Sequence, residues 1–124
     1  MCIMMKNQNN IVLSNDIYNI NIESCKINLL NTLLIVYRNG KIKRKMKSGK
    51  WKEIKNNKNH NHGYNVIMIN KRQFVRSQII AHIFLNYNMF NKEFNKNKMI
   101  TYKDKNRVNC CASNLLITSN TYFL

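Results

Sequence analysis

The stretch Leu33-Leu34-Ile35-Val36-Tyr37-Arg38-Asn39-Gly40-Lys41-Ile42-Lys43 carries the strongest local instruction in the chain. An apolar run, then Asn-Gly, then a Lys-Ile-Lys alternation is the pattern of a β-hairpin. Asn39-Gly40 would supply the positive φ angles of a type I′ turn. A second turn at Ser48-Gly49 leads into Lys50-Trp51-Lys52-Glu53-Ile54, so the pattern predicts a three-stranded meander.

Residues 55–62 read as a polar loop and 63–70 (Gly63-Tyr64 onward) as a strand. Lys71-Arg72 reads as a turn into Gln73-Phe74-Val75. Ser77 is the expected N-cap of a helix reaching Leu85, because Ile79, Ile80, Ile83 and Phe84 fall on one face at helical spacing. A basic, Asn-rich loop follows over 86–98, then short strands at 99–102 and 114–118. The fold class expected is α+β. Upstream, the weakly patterned, Asn-rich residues 1–30 read as an extension that orders against a partner, leaving 31–124 as one domain.

Composition narrows the function. Lys and Arg number 21 against 5 Asp and Glu, a formal charge of +16 on 124 residues. Solubility needs far less charge, so a polyanionic partner is implied, above all nucleic acid. The chain holds 24 Asn and 16 Ile but no Pro and 3 Gly. Asn, Lys and Ile have A/T-rich codons and Pro and Gly do not. The bias therefore suggests an A+T-rich genome such as an organellar one, and single Asn residues carry little information. Cys2, Cys25, Cys110 and Cys111 do not make a disulfide scaffold, and the absence of a signal-peptide pattern argues against secretion. The most apolar stretch, 27–37, falls short of the roughly 20 residues a bilayer span needs. A mitochondrial, organelle-encoded protein in a reducing compartment is the expectation.

The segment Ile100-Thr101-Tyr102-Lys103-Asp104-Lys105-Asn106-Arg107-Val108-Asn109, continued to Asn114-Leu115, adds a relationship. It resembles the core of the HNH homing endonucleases of phages and organelles, (D/N)-H-I-D-G-N-K-x-N-N-x-x-x-N-L. Asp104, Asn106, Asn109, Asn114 and Leu115 match, and Arg107 replaces a lysine. Three further pieces occur in the family's order. Residues 36–43 resemble its leading hairpin, 63–69 its G-Y-x-x-V-x-L strand, and 76–84 its V-H-R-L-V-A-x-x-F helix. The resemblance implies a truncated ββα-metal core after the meander and the strand–helix unit.

It also implies lost chemistry. HNH nucleases polarise a phosphodiester with one divalent metal and activate water with a histidine. Thr101 occupies the first metal position, Tyr102 the general-base position, and Phe123 the second metal position. The helical His-Arg pair has become Ser77-Gln78. A phenol of pKa near 10 is a poor base at neutral pH, and Phe binds no metal. No catalytic residue, no metal site and no cofactor is expected. His60-Asn61-His62 spells the family's name but reads as loop histidines, Cys110-Cys111 as free thiols without zinc-ligand spacing, and Asp104 as a turn residue.

The basic residues carry the functional expectation. Arg38, Lys41, Lys43, Arg44, Lys45, Lys47, Lys50 and Lys52 crowd the meander, with Trp51 and Tyr37 available to stack on bases. On a strand, Lys41, Lys43, Lys45 and Lys47 would share one face. Lys71, Arg72 and Arg76 form a second group, and Lys103, Lys105 and Arg107 a third. The expected protein is a non-catalytic nucleic-acid binder, with RNA favoured over DNA. Its most economical form is an RNA-binding subunit of an organellar ribosome or other ribonucleoprotein beside other proteins, with no membrane partner. The alternative is an active HNH-type endonuclease whose base is His82 or a loop histidine.

Overall fold

The computed structural model describes residues 2–6, 11–12 and 22–119. It is strand-rich with one α-helix, an α+β arrangement of three mainly antiparallel sheets. The largest piece is a sheet in the order β2-β1-β3-β4-β5-β6, with β1 Cys2–Lys6, β2 Ile11–Val12, β3 Ser24–Leu29, β4 Thr32–Tyr37, β5 Ile42–Lys45 and β6 Trp51–Glu53. All its pairings are antiparallel except β1 with β3. The hairpin β7 Val66–Ile69 and β8 Arg72–Val75 feeds directly into helix α1 Arg76–Phe84. A second hairpin, β9 Lys98–Tyr102 with β10 Leu115–Ser119, brackets the Asp104–Asn114 loop.

The meander forms as the alternation dictates, and it gains a strand. Strand β3 lies inside the segment expected to be an extension, yet Cys25, Ile27 and Leu29 are fully buried. Register explains why: Cys25 faces Val36 and Ile27 faces Leu34, so one apolar row continues across β3, β4 and Ile42 of β5. That inner face meets α1, whose residues are all buried except Gln78. The expected apolar helix face is present, with Ile79, Ile80 and Ile83 at 0% exposure and Phe84 at 4%.

Turn chemistry departs from expectation. Only Gly40 of the Asn39-Gly40 pair has positive φ (96°), and Gly40 N–H donates to the Tyr37 carbonyl at 2.9 Å. This is the longer hairpin loop closed by one left-handed glycine, not a type I′ turn. Ser48-Gly49 repeats it, with Gly49 at φ 89°. The two-residue loops with both φ positive are Leu30-Asn31 and Asn70-Lys71. The Asn70 side-chain amide joins them by donating to the Leu30 carbonyl at 3.2 Å. The turn therefore precedes Arg72, which is the first residue of β8.

The helix starts two residues earlier than expected. Val75 is the N-cap residue, without a side-chain cap. Ser77 lies within the first turn, where its hydroxyl accepts a hydrogen bond from Tyr102 at 2.6 Å. Among the described residues no helix is long and apolar enough to cross a membrane. The Phe123 position and any closing helix lie outside the described residues.

Candidate nucleic-acid interface

The antiparallel register sorts the meander's side chains onto two faces. Opposite the core, Lys26, Ile35, Lys43 and Glu53 form one row across the sheet. Lys45 pairs with Trp51 on that face, and Tyr37 pairs with Ser24. Of the expected lysine ladder, the regular strand β5 holds Lys43 and Lys45 only. Lys41 lies in the preceding turn beside Glu53, at 3.8 Å, while Lys47 and Lys50 are exposed around the next turn. Arg44 and Lys52 pair with each other on the inner face. Arg44 reaches the rim there and donates to the Met68 carbonyl at 3.4 Å.

Lysine ammoniums lie over the aromatic rings. Lys26 Nζ is 5.5 Å from the centre of the Trp51 ring, and Lys41 and Lys43 lie 5.9 and 5.6 Å from Tyr37. Lys26 was not among the expected contacts. The alternation Ser24-Cys25-Lys26-Ile27-Asn28-Leu29, polar residues out and apolar residues in, is the signal that identifies it.

Arg76 is a correction. It is 1% exposed, and its guanidinium is consumed inside the protein. Nε donates to Asn65 Oδ1 at 2.8 Å, Nη1 to the Gly40 carbonyl at 2.9 Å, and Nη2 to the Ile54 and Lys55 carbonyls at 2.7 and 3.2 Å. It holds the meander, the 55–65 loop and the start of α1 together and cannot reach a phosphate. Arg38 is half-buried; its Nε donates to the Ile22 carbonyl at 2.7 Å and its guanidinium lies 4.7 Å from the Phe84 ring. Lys71 and Arg72 stay exposed on the β7–β8 hairpin, with Arg72 over Phe74.

In the 104–114 loop the amides serve as scaffold. Asp104 Oδ1 accepts from the Asn106 N–H (2.8 Å) and from the Asn114 side chain (2.9 Å), while Oδ2 accepts from Asn109 (2.7 Å). Asn114 Oδ1 in turn accepts from the Asp104 N–H at 3.1 Å. These bonds, that from Asn109 foremost, hold the Asp104 carboxyl below its ordinary pKa. The closed knot displays Lys103, Lys105 and Arg107 outward, and all three are exposed. Lys105, Arg107 and Lys58 line a shallow hollow with Gly63, Asp104 and Asn106. Lys58 lies in a polar loop, where no periodicity in the sequence marks a residue's direction.

Tyr102 turns away from that loop toward Ser77, and burial pushes its phenol further above the ordinary value. His60 Nδ1 accepts the His62 N–H at 3.2 Å within a turn, and both rings lie near Tyr64. Arg107 spans the two loops, donating to the His62 carbonyl at 2.6 Å and lying 5.1 Å from the Tyr64 ring. Among the described residues no three His, Cys, Asp or Glu side chains gather as metal ligands. The Cys110 thiol is buried and its pKa is raised to about 11, so it stays protonated at neutral pH. Compared with family models, curated proteins and solved structures, the chain matches none.

Proposed function

We propose that this chain is a non-catalytic nucleic-acid-binding protein on a decayed HNH-nuclease scaffold, acting as an RNA-binding subunit of an organellar, most economically mitochondrial, ribosome or other ribonucleoprotein. The carrying observation is a charge that the chain cannot neutralise internally. Five acidic groups face 21 basic ones, leaving at least 16 cations without an acidic partner of their own. One of those five, Asp104, is engaged by amides. Exposed cations line the meander (Lys41, Lys45, Lys47, Lys50, Lys52), the β7–β8 hairpin (Lys71, Arg72) and the end of β9 with the loop after it (Lys103, Lys105, Arg107), surfaces that phosphates would neutralise.

The scaffold reading is supported by the β9–β10 hairpin and its Asp-Asn knot, and by Tyr102 reaching Ser77 on α1. In an HNH nuclease those two positions would hold the base and part of the helical His-Arg pair. Here they satisfy each other. An active nuclease would need another base. The His82 nitrogen Nδ1 is engaged by the Met89 N–H at 3.0 Å, and the ring is 5% exposed. Sedimentation of native extract in moderate salt tests the proposal: the protein is expected with large ribonucleoprotein particles and released from them by ribonuclease. Migration as a free small protein, insensitive to ribonuclease, would overturn the ribonucleoprotein assignment.

A further inference from the structure

The outer face of the meander has a chemistry that charge alone does not require. Lysines suffice for phosphate, yet this face also presents the chain's one tryptophan and a tyrosine, both half-buried and both overlain by lysine ammoniums. Lys26 and Trp51 belong to β3 and β6, which are separated by β4 and β5 and so lie roughly 14 Å apart at ordinary strand spacing. Their meeting at 5.5 Å therefore occurs above the strands between them, over the row that holds Ile35 and Lys43. Ile35 is correspondingly only 8% exposed although it lies on the outer face. The indole is thus directed across the sheet, not away from its edge.

We infer that this face binds single-stranded RNA, with Trp51 and Tyr37 stacking on unpaired bases while Lys26 and Lys43 move from the rings to the flanking phosphates, joined by the exposed Lys45. This rests on the nucleic-acid-binding reading above and adds the kind of strand and the surface. Two physical arguments select the single strand. A sheet face spanning β3 to β6 and beyond is broader than the major groove of B-form DNA, which admits a helix or a two-stranded ribbon, and the A-form RNA major groove is narrower still. Paired bases within a duplex have no free π-face, whereas unpaired bases stack on aromatic side chains irrespective of sequence. Tyr37 and Trp51 stand two strands apart and four residues out of register, roughly 16 Å, so they serve two different bases. A cation over an aromatic ring is a modest attraction at an exposed site, which lets the lysines transfer to phosphate. Glu53, two residues from Trp51 on β6, is paired with Lys41 at 3.8 Å, which offsets its charge on this face.

Trp51 is its own reporter, being the only tryptophan in the chain. The full chain is titrated with a labelled 12-nucleotide single-stranded oligouridylate and, separately, with a blunt RNA duplex of equal length. Indole fluorescence and label anisotropy are followed together. The single strand is expected to quench Trp51 on saturation and the duplex to leave it unchanged. Trp51→Ala should weaken single-strand binding about 5- to 150-fold, the range for loss of one stacked base, and Trp51→Phe should keep most of the affinity. Anisotropy showing single-strand binding without any change in Trp51 emission, or equal quenching by the duplex, would overturn the inference and leave general nucleic-acid binding standing. Absence of binding by either RNA at low salt would overturn both. The wild-type emission decides the matter even if the alanine variant does not fold.

Discussion

Arg76 shows how one residue can be basic without contributing to a basic surface. Its four hydrogen bonds end on Asn65 and on the carbonyls of Gly40, Ile54 and Lys55, so every hydrogen-bonding nitrogen of the guanidinium serves the fold. Arg76→Met would keep much of the volume and strand those acceptors in the interior. Loss of charged hydrogen bonds of this kind predicts a stability decrease of about 2–4 kcal/mol, measurable by urea denaturation. RNA affinity of the folded fraction should stay within about twofold. Unchanged stability with a tenfold loss of binding would return Arg76 to the interface. The sequence could not reveal this, because an arginine's direction at the first residue of a helix depends on what the preceding loop brings beside it. Lys26 shows the opposite case: its strand's alternation was legible, and only the surrounding Asn-rich composition concealed it.

At the scale of elements, the meander and both later hairpins follow from alternation and turn residues, and the helix from its isoleucine spacing. What alternation could not show was turn type. Gly40 and Gly49 close similar hairpin loops with similar φ, 96° and 89°, but their surroundings differ. A Cβ at Gly40 would lie 2.9 Å from the Cys110 backbone, whereas one at Gly49 would meet nothing within 4 Å. The Gly40 site is where the 104–114 loop docks on the meander, also through the Ala112 N–H donating to the Arg38 carbonyl at 2.8 Å. Gly49→Ala is therefore expected to cost about 1 kcal/mol, from backbone conformation alone. Gly40→Ala should cost about 3 kcal/mol or more, because the backbone contact must also open. Equal losses in thermal denaturation would contradict this docking. The type I′ turn expected at Asn39-Gly40 fails for a local reason: the Tyr37 N–H closes on the Lys41 carbonyl around a three-residue loop. Met46 and Lys50 close the same loop around Gly49 without any tertiary contact, while Leu30-Asn31 and Asn70-Lys71 take the tight turns without glycine.

For the whole molecule, the meander, the β7–β8–α1 unit and the β9–β10 hairpin share one core, and the basic residues that remain accessible lie mainly around its rim and on the meander's outer face. Net charge and the order of the pieces were legible in the sequence. The assignment of amides to scaffold was not, since 24 asparagines look alike until their partners are placed. The Asp104, Asn109 and Asn114 side chains close their own loop, and Tyr102 is spent on Ser77. The central claim is therefore binding without cleavage, governed by counterion release. The most direct measurement incubates the purified chain with supercoiled plasmid in Mg²⁺, runs half on a native gel across a salt series, and deproteinises the other half before electrophoresis. The expected result is strong retardation at 50 mM salt, an affinity about 10³–10⁵-fold lower at 200 mM if roughly 6–10 phosphates are contacted, and plasmid recovered fully supercoiled. Nicked or linear plasmid whose formation EDTA abolishes, or no retardation at 50 mM salt, would contradict it.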